Sequence, residues 1–130
     1  MSAKAFLDTN VFVYEIDSKA PRPKAKRRIA HNLIRDALTQ RRSAISYQVI
    51  QEFLNVVTGK FSSSMTVSDA QQYVNTAFQP LMVVNSSIEL FREALGIHAR
   101  HQISWYDSLI VAAASEAHCS ILSWASQPPS

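Results

Sequence analysis

Three carboxylates in this chain stand at positions where a chain reversal or a helix begins. Asp8 follows the short stretch Lys4-Ala5-Phe6-Leu7 and opens Asp8-Thr9-Asn10. Glu52 lies six residues beyond Ala44-Ile45-Ser46, and Asp107 is the only acidic residue before Glu116 in an otherwise apolar segment. Each has an ordinary structural role open to it. Asp8 suits an N-cap. Glu52 has Val49 and Val56 on one side and Gln48 and Asn55 on the other, as a glutamate at the edge of a buried face would. Ser104 to Asp107 has the spacing of a capping box. The combination says more than any member. Like charges brought together raise one another's pKa and destabilise the fold unless a cation joins them. A hard oxygen donor set, with neither cysteine nor clustered histidine in it, favours Mg²⁺ or Mn²⁺ over zinc. Such an ion activates water and steadies charge on a phosphate, which is phosphodiester chemistry.

The elements that must position these groups follow from apolar patterning. Lys4 to Leu7, Ala44 to Ser46, Leu81 to Val84 and Cys119 to Leu122 predict short strands. A helical turn starts at Val11 and is broken by the loop Ser18 to Lys24, which carries Pro21 and Pro23. Helical spacing recurs at Ile29, Leu33, Ile34, Ala37 and Leu38, and at Val49, Ile50, Phe53, Leu54 and Val57, where Ser46 is the expected cap and Gly59 the stop. Further helices carry Val67, Ala70, Tyr73, Val74, Ala77 and Phe78, with Ser68 and Gln71 as a capping box, and Ile88, Phe91, Ala94 and Leu95, opened by Ser86 and Glu89. Trp105 to Ala117 is apolar nearly all round, which implies burial. Strands alternating with helices, each strand a continuous apolar run, indicate a mostly parallel sheet covered on both faces. Ligand sites of such sheets lie beyond the carboxyl ends of the strands, where all three carboxylates fall.

Asp8-Thr9-Asn10, Gln51-Glu52-Phe53 and the run from Trp105 to Ala114 resemble, in order and spacing, the three motif blocks of PIN domains of the VapC toxin type. The likeness covers about residues 4 to 123. It implies a three-layer α/β/α, RNase H-like fold with a mostly parallel central sheet, and a Mg²⁺- or Mn²⁺-dependent endoribonuclease acting on single-stranded or looped RNA. It also implies a homodimer and a VapB-type antitoxin partner. Asp8, Glu52 and Asp107 match the family's first three acidic positions, as metal-binding and catalytic residues, and Asn10 its supporting polar position. The chain departs from the pattern after Leu122. The family shows a serine or threonine, then an acidic residue or two and a closing segment, whereas this chain reads Ser123-Trp124-Ala125-Ser126-Gln127-Pro128-Pro129-Ser130. The expectation is a single PIN domain over residues 1–130 without its usual closing segment after about Ser123. The missing fourth carboxylate leaves an inactive or impaired PIN-fold RNA- or protein-binding module as the alternative.

Charge distribution adds a partner. Between Lys19 and Arg42 stand nine basic residues and one acidic residue, Asp36; elsewhere four basic residues face nine acidic ones, a balance of −5. A basic arm on an acidic body suits a protein that holds metal with its body and meets a polyanion with its arm. Lys24, Lys26, Arg27 and Arg28 are the expected contacts to RNA phosphates or to the antitoxin. The same residues would otherwise form a solvated surface. No apolar run is long enough for a membrane span or a signal peptide, and the single cysteine, Cys119, fits a reducing compartment, so a cytoplasmic location is expected. Gly59 and Gly96 are the only glycines, which excludes a glycine-rich phosphate loop. His98 and His101 are expected to satisfy helix-end carbonyls rather than bind metal. His31 and His118 are expected at the surface, and Trp105 and Tyr106 in packing roles.

Overall fold

In the computed structural model, residues 4–16, 24–59 and 65–123 are described. Four strands, β1 (Ala5–Leu7), β2 (Ser43–Ser46), β3 (Met82–Val84) and β4 (Ile121–Ser123), form one parallel sheet in the order β3-β2-β1-β4. The registers Phe6 with Ala44, Ala44 with Met82, and Phe6 with Leu122 bring the carboxyl ends of all four strands to one edge. Phe6, Leu7, Ala44, Ile45 and Val84 are buried, as continuous apolar strands covered on both faces must be. The chain steps outward from β1 to β3, then returns to the far side of β1 as β4. With right-handed crossovers this reversal puts helices on both faces, giving a three-layer α/β/α fold with a crevice beside β1.

Among the described residues six helices accompany the sheet: α1 (Thr9–Ile16), α2 (Lys24–Gln40), α3 (Tyr47–Thr58), α4 (Val67–Tyr73), α5 (Ile88–His101) and α6 (Trp105–Glu116). A single π-helical turn, Val74–Phe78, extends α4 and ends as the Gln79 N–H donates to the Val74 carbonyl. The wider turn accompanies an aromatic cluster. Phe78 meets the rings of Phe12 and Phe53 at 4.8 and 5.1 Å, and Tyr73 stacks on Phe53 at 4.7 Å. Offset and edge-on geometries of this kind add to the stabilisation from area alone.

Local expectations about helix starts held at one end and moved at others. The Ser104 hydroxyl accepts the Asp107 N–H at 3.1 Å, as the capping spacing requires. Helix α4 is capped by Thr66, not Ser68, and α5 by Ser87, not Ser86. Ser46 precedes α3 but makes no side-chain cap bond; its hydroxyl is buried without a hydrogen-bond partner among the described residues. On α5 the buried face is Leu90, Ala94 and Ile97, whereas Ile88 and Leu95, expected inward, are 60% and 56% exposed. Both sets have helical spacing and share Ala94; the buried face is rotated about α5 so that Leu90 and Ile97 point inward in place of Ile88 and Leu95. Val67 and Ile29 are likewise exposed rather than core. Arg41, Gln102 and His118 follow helix ends with φ of 57°, 54° and 59°, a left-handed conformation that glycine adopts more cheaply.

Candidate active site

The shared edge of the parallel strands gathers the predicted residues. Asp8 leaves β1 at that edge, where its N–H donates to the Ser123 carbonyl of β4. It is 8% exposed, and its Oδ1 accepts the Thr9 N–H at 2.7 Å. Glu52, in the second turn of α3, is half-buried. Its Oε1 accepts the Thr9 hydroxyl at 2.7 Å, and its Oε2 accepts the Gln48 side-chain amide at 3.3 Å. The same Gln48 nitrogen donates to the Tyr106 carbonyl at 3.2 Å, joining α3 to the first turn of α6. Asp107 follows immediately, and the buried Ser108 hydroxyl, donating to the Ser104 carbonyl at 2.8 Å, closes that turn.

Asp8, Asn10, Glu52 and Asp107 line one open cavity of about 560 Å³, together with Thr9, Gln48, Asn55 and Tyr106. The sequence-predicted quartet is therefore brought to one place. Its carboxylates stand around a shared space rather than in a tight cluster. Among the described residues, no three Asp, Glu, His or Cys side chains approach closely enough to hold an ion together. Asp107 is half-exposed rather than buried, so water meets much of the desolvation cost that its apolar helix implies.

Oxygen chemistry dominates the cavity, and the amides of Asn10, Gln48 and Asn55 provide both donors and acceptors. Tyr106, expected in a packing role, is 64% exposed at the cavity wall. Beside it, the Tyr47 phenol is pushed above its ordinary value by burial and then by Tyr106. Thr9, Gln48 and Tyr106 were missed as site residues. Their signal was adjacency: Thr9 follows Asp8, Gln48 precedes Glu52 by one helical turn, and Tyr106 precedes Asp107.

The basic residues lie elsewhere. Arg27, Arg28 and His31 on α2 line a second cavity of about 610 Å³ with Glu15 of α1, and none of them lines the carboxylate cavity. Lys26 Nζ sits 5.2 Å from the Tyr14 ring centroid, and Arg27 Nε donates to the Glu15 carbonyl at 3.1 Å. Lys24 opens α2. The part of the arm from Lys19 to Pro23 lies outside the described residues, as does the segment after Ser123. Glu15, not singled out in the sequence, joins three helices. Its carboxylate accepts the Tyr73 hydroxyl at 2.8 Å and meets His31 Nδ1 at 3.1 Å. His31 is thus at the surface, as expected, but paired. His98 Nδ1 lies 2.6 Å from the Ile103 carbonyl just past α5, a structural contact rather than a metal site.

Comparison with known proteins agrees with this architecture. A family model described as PIN domain matches residues 5–125. No curated protein sequence matches the chain. A solved structure titled toxin-antitoxin complex from Klebsiella pneumoniae is similar in fold, with a TM-score of 0.65 and 17% sequence identity, over 91% of this chain and 83% of that one.

Proposed function

The chain belongs to the PIN domain family, and from that premise we propose that it is a metal-dependent endoribonuclease of the VapC toxin type. The observation that carries the proposal is the convergence of Asp8, Glu52 and Asp107 on one cavity at the carboxyl edge of the sheet. The donor set fits Mg²⁺ or Mn²⁺: all oxygen, with room for water, and such ions need only one or two carboxylates because they keep several waters. Asp8 and Asp107 would hold the ion, with Glu52 binding it or orienting its water. When bound, the ion supplies an activated water and neutralises charge developing on the phosphate. The chain's own groups supply position. Thr9 and Gln48 fix both oxygens of Glu52, and Asn10 steadies a carboxylate or the substrate.

The basic residues Lys24, Lys26, Arg27 and Arg28 would contact RNA phosphates or an antitoxin of VapB type. The similar structure's title names a toxin-antitoxin complex, which favours such a partner. A homodimeric, cytoplasmic protein built as a single PIN domain completes the proposal. A second reading, a PIN-fold binding module with weak or no cleavage, is favoured by Ser123-Trp124-Ala125, where the family pattern would have an acidic residue in place of Ala125.

The test combines melting with cleavage. An ion that binds only the native state at a hundred times its Kd stabilises by about 2.7 kcal/mol, so millimolar Mn²⁺ should raise the melting temperature by several degrees. Asp107→Asn should remove that rise. Cleavage of a structured RNA should depend on Mn²⁺, stop with EDTA and stop in Asp8→Asn. Stabilisation by Mn²⁺ without cleavage selects the binding module. The absence of both stabilisation and cleavage would refute the metal site.

A further inference from the structure

We infer that Gln48 is a positioning residue that sets the spacing of the three carboxylates before an ion arrives, an inference that rests on the metal-site proposal above. Gln48 is 4% exposed, yet it carries an amide into the interior between α3 and α6. A buried polar side chain is tolerated only when its hydrogen bonds are made. Its Nε2 has two hydrogens and two acceptors, Glu52 Oε2 at 3.3 Å and the Tyr106 carbonyl at 3.2 Å. The carboxylate lies one helical turn away, where residues four apart share a face. The carbonyl lies on a different helix, 58 positions along the chain.

These contacts complete a chain of bonds linking every element that bears a predicted carboxylate. The Thr9 N–H binds Asp8 Oδ1 and the Thr9 hydroxyl binds Glu52 Oε1. Gln48 then binds the other Glu52 oxygen and the residue immediately before Asp107. The chain of bonds starts at Asp8 and ends on the Tyr106 carbonyl next to Asp107, so its two ends stand at the two proposed ligands. Thr9 lies within the first motif, but Gln48 is the link that reaches α6. Without it Glu52 keeps one partner and can swing, and the start of α6 loses its tie to α3. The population of correctly spaced sites falls, and apparent ion affinity falls by the same fraction. Few other side chains can replace it. Asparagine is one methylene short, glutamate lacks the donors, and methionine keeps the volume without either hydrogen bond.

The test is a double-mutant cycle on the full chain. Gln48→Met and Glu52→Ala, singly and together, are titrated with Mn²⁺, and the rise in melting temperature gives the half-saturating concentration. Gln48→Met should increase that concentration roughly three- to tenfold, the range one hydrogen bond is worth. In the Glu52→Ala background the same substitution should change it far less. A purely structural glutamine would lower the melting temperature in EDTA and leave the half-saturating concentration unchanged, and that result overturns the inference. A parent protein with no Mn²⁺ response refutes the metal site itself. In that event, or if Gln48→Met does not fold, the side-chain amide protons of Gln48 in the parent decide the link by NMR. Two inequivalent, slowly exchanging protons that shift in Glu52→Ala support it; averaged protons in fast exchange with water overturn it.

Discussion

Replacing Tyr73 with phenylalanine should destabilise the protein at neutral pH and lose that effect in alkali. The Tyr73 hydroxyl donates to Glu15 at 2.8 Å, tying the end of α4 to α1, the helix that begins beside Asp8. Phenylalanine keeps the ring stacked on Phe53 at 4.7 Å and edge-on to Phe78 at 5.3 Å, so packing is retained and only the hydroxyl is lost. A hydrogen bond to a charged acceptor is worth about 1.5–3 kcal/mol. The lower end applies here because Glu15 keeps its His31 contact and part of its exposure. A loss of about 1.5 kcal/mol lowers the melting temperature of a domain this size by roughly 5 °C.

The pH dependence has a definite sign. Burial first, then the Glu15 carboxylate, push the Tyr73 phenol well above its ordinary value of 10.0. Below pH 10 the phenol is protonated in both folded and unfolded chains, and its contribution is fully present. Above pH 10 the unfolded chain releases the proton while the folded one keeps it. Parent stability then falls by an extra ~1.4 kcal/mol per pH unit that Tyr73→Phe does not share. The two proteins should therefore converge near pH 11. Urea unfolding at intervals from pH 7 to pH 11.5 measures the gap directly. Curves that stay parallel through pH 11 would refute a buried Tyr73–Glu15 bond.

Two further outcomes test other parts of the molecule. Changing Lys26, Arg27 and Arg28 together to glutamine should weaken RNA binding and flatten its salt dependence by up to about one unit of log–log slope per lost phosphate contact, while lowering unfolding free energy by about 1–2 kcal/mol through loss of the Lys26–Tyr14 and Arg27–Glu15 contacts; binding unaltered in low-salt filter assays would assign these residues to the antitoxin or to solubility. Gln102→Gly, at a φ of 54° between α5 and α6, should stabilise the fold by about 1 kcal/mol by relieving left-handed strain, and a lower urea midpoint would contradict that account.

The alternation of strands and helices was legible in the sequence because it depends on local periodicity. Runs such as Ala5-Phe6-Leu7 and Ala44-Ile45 are apolar on both faces, and only a doubly covered sheet accommodates them. Asp8, Asn10, Glu52 and Asp107 could be placed at one edge because parallel strands end together and each residue lies close to a strand end or a helix start. Cap positions were less legible. Ser86 and Ser87 both offer a hydroxyl, and the choice of Ser87 follows how far the chain stays extended after β3.

Only the tertiary structure decided what those residues touch. Residues 43 apart form the Thr9–Glu52 bond, and residues 58 apart form both the Gln48–Tyr106 and the Tyr73–Glu15 bonds. Each depends on how one helix is rotated and shifted against another, which a 3.6-residue period does not encode. The same rotation buries Leu90, Ala94 and Ile97 while leaving Ile88 and Leu95 in water, and it exposes Tyr106 beside the carboxylates. The sequence alone determined which groups could do chemistry and at which edge of the sheet. The packing of α1, α3 and α6 decided how far apart those groups stand, because hydrogen bonds between helices, unlike those within them, join residues remote along the chain.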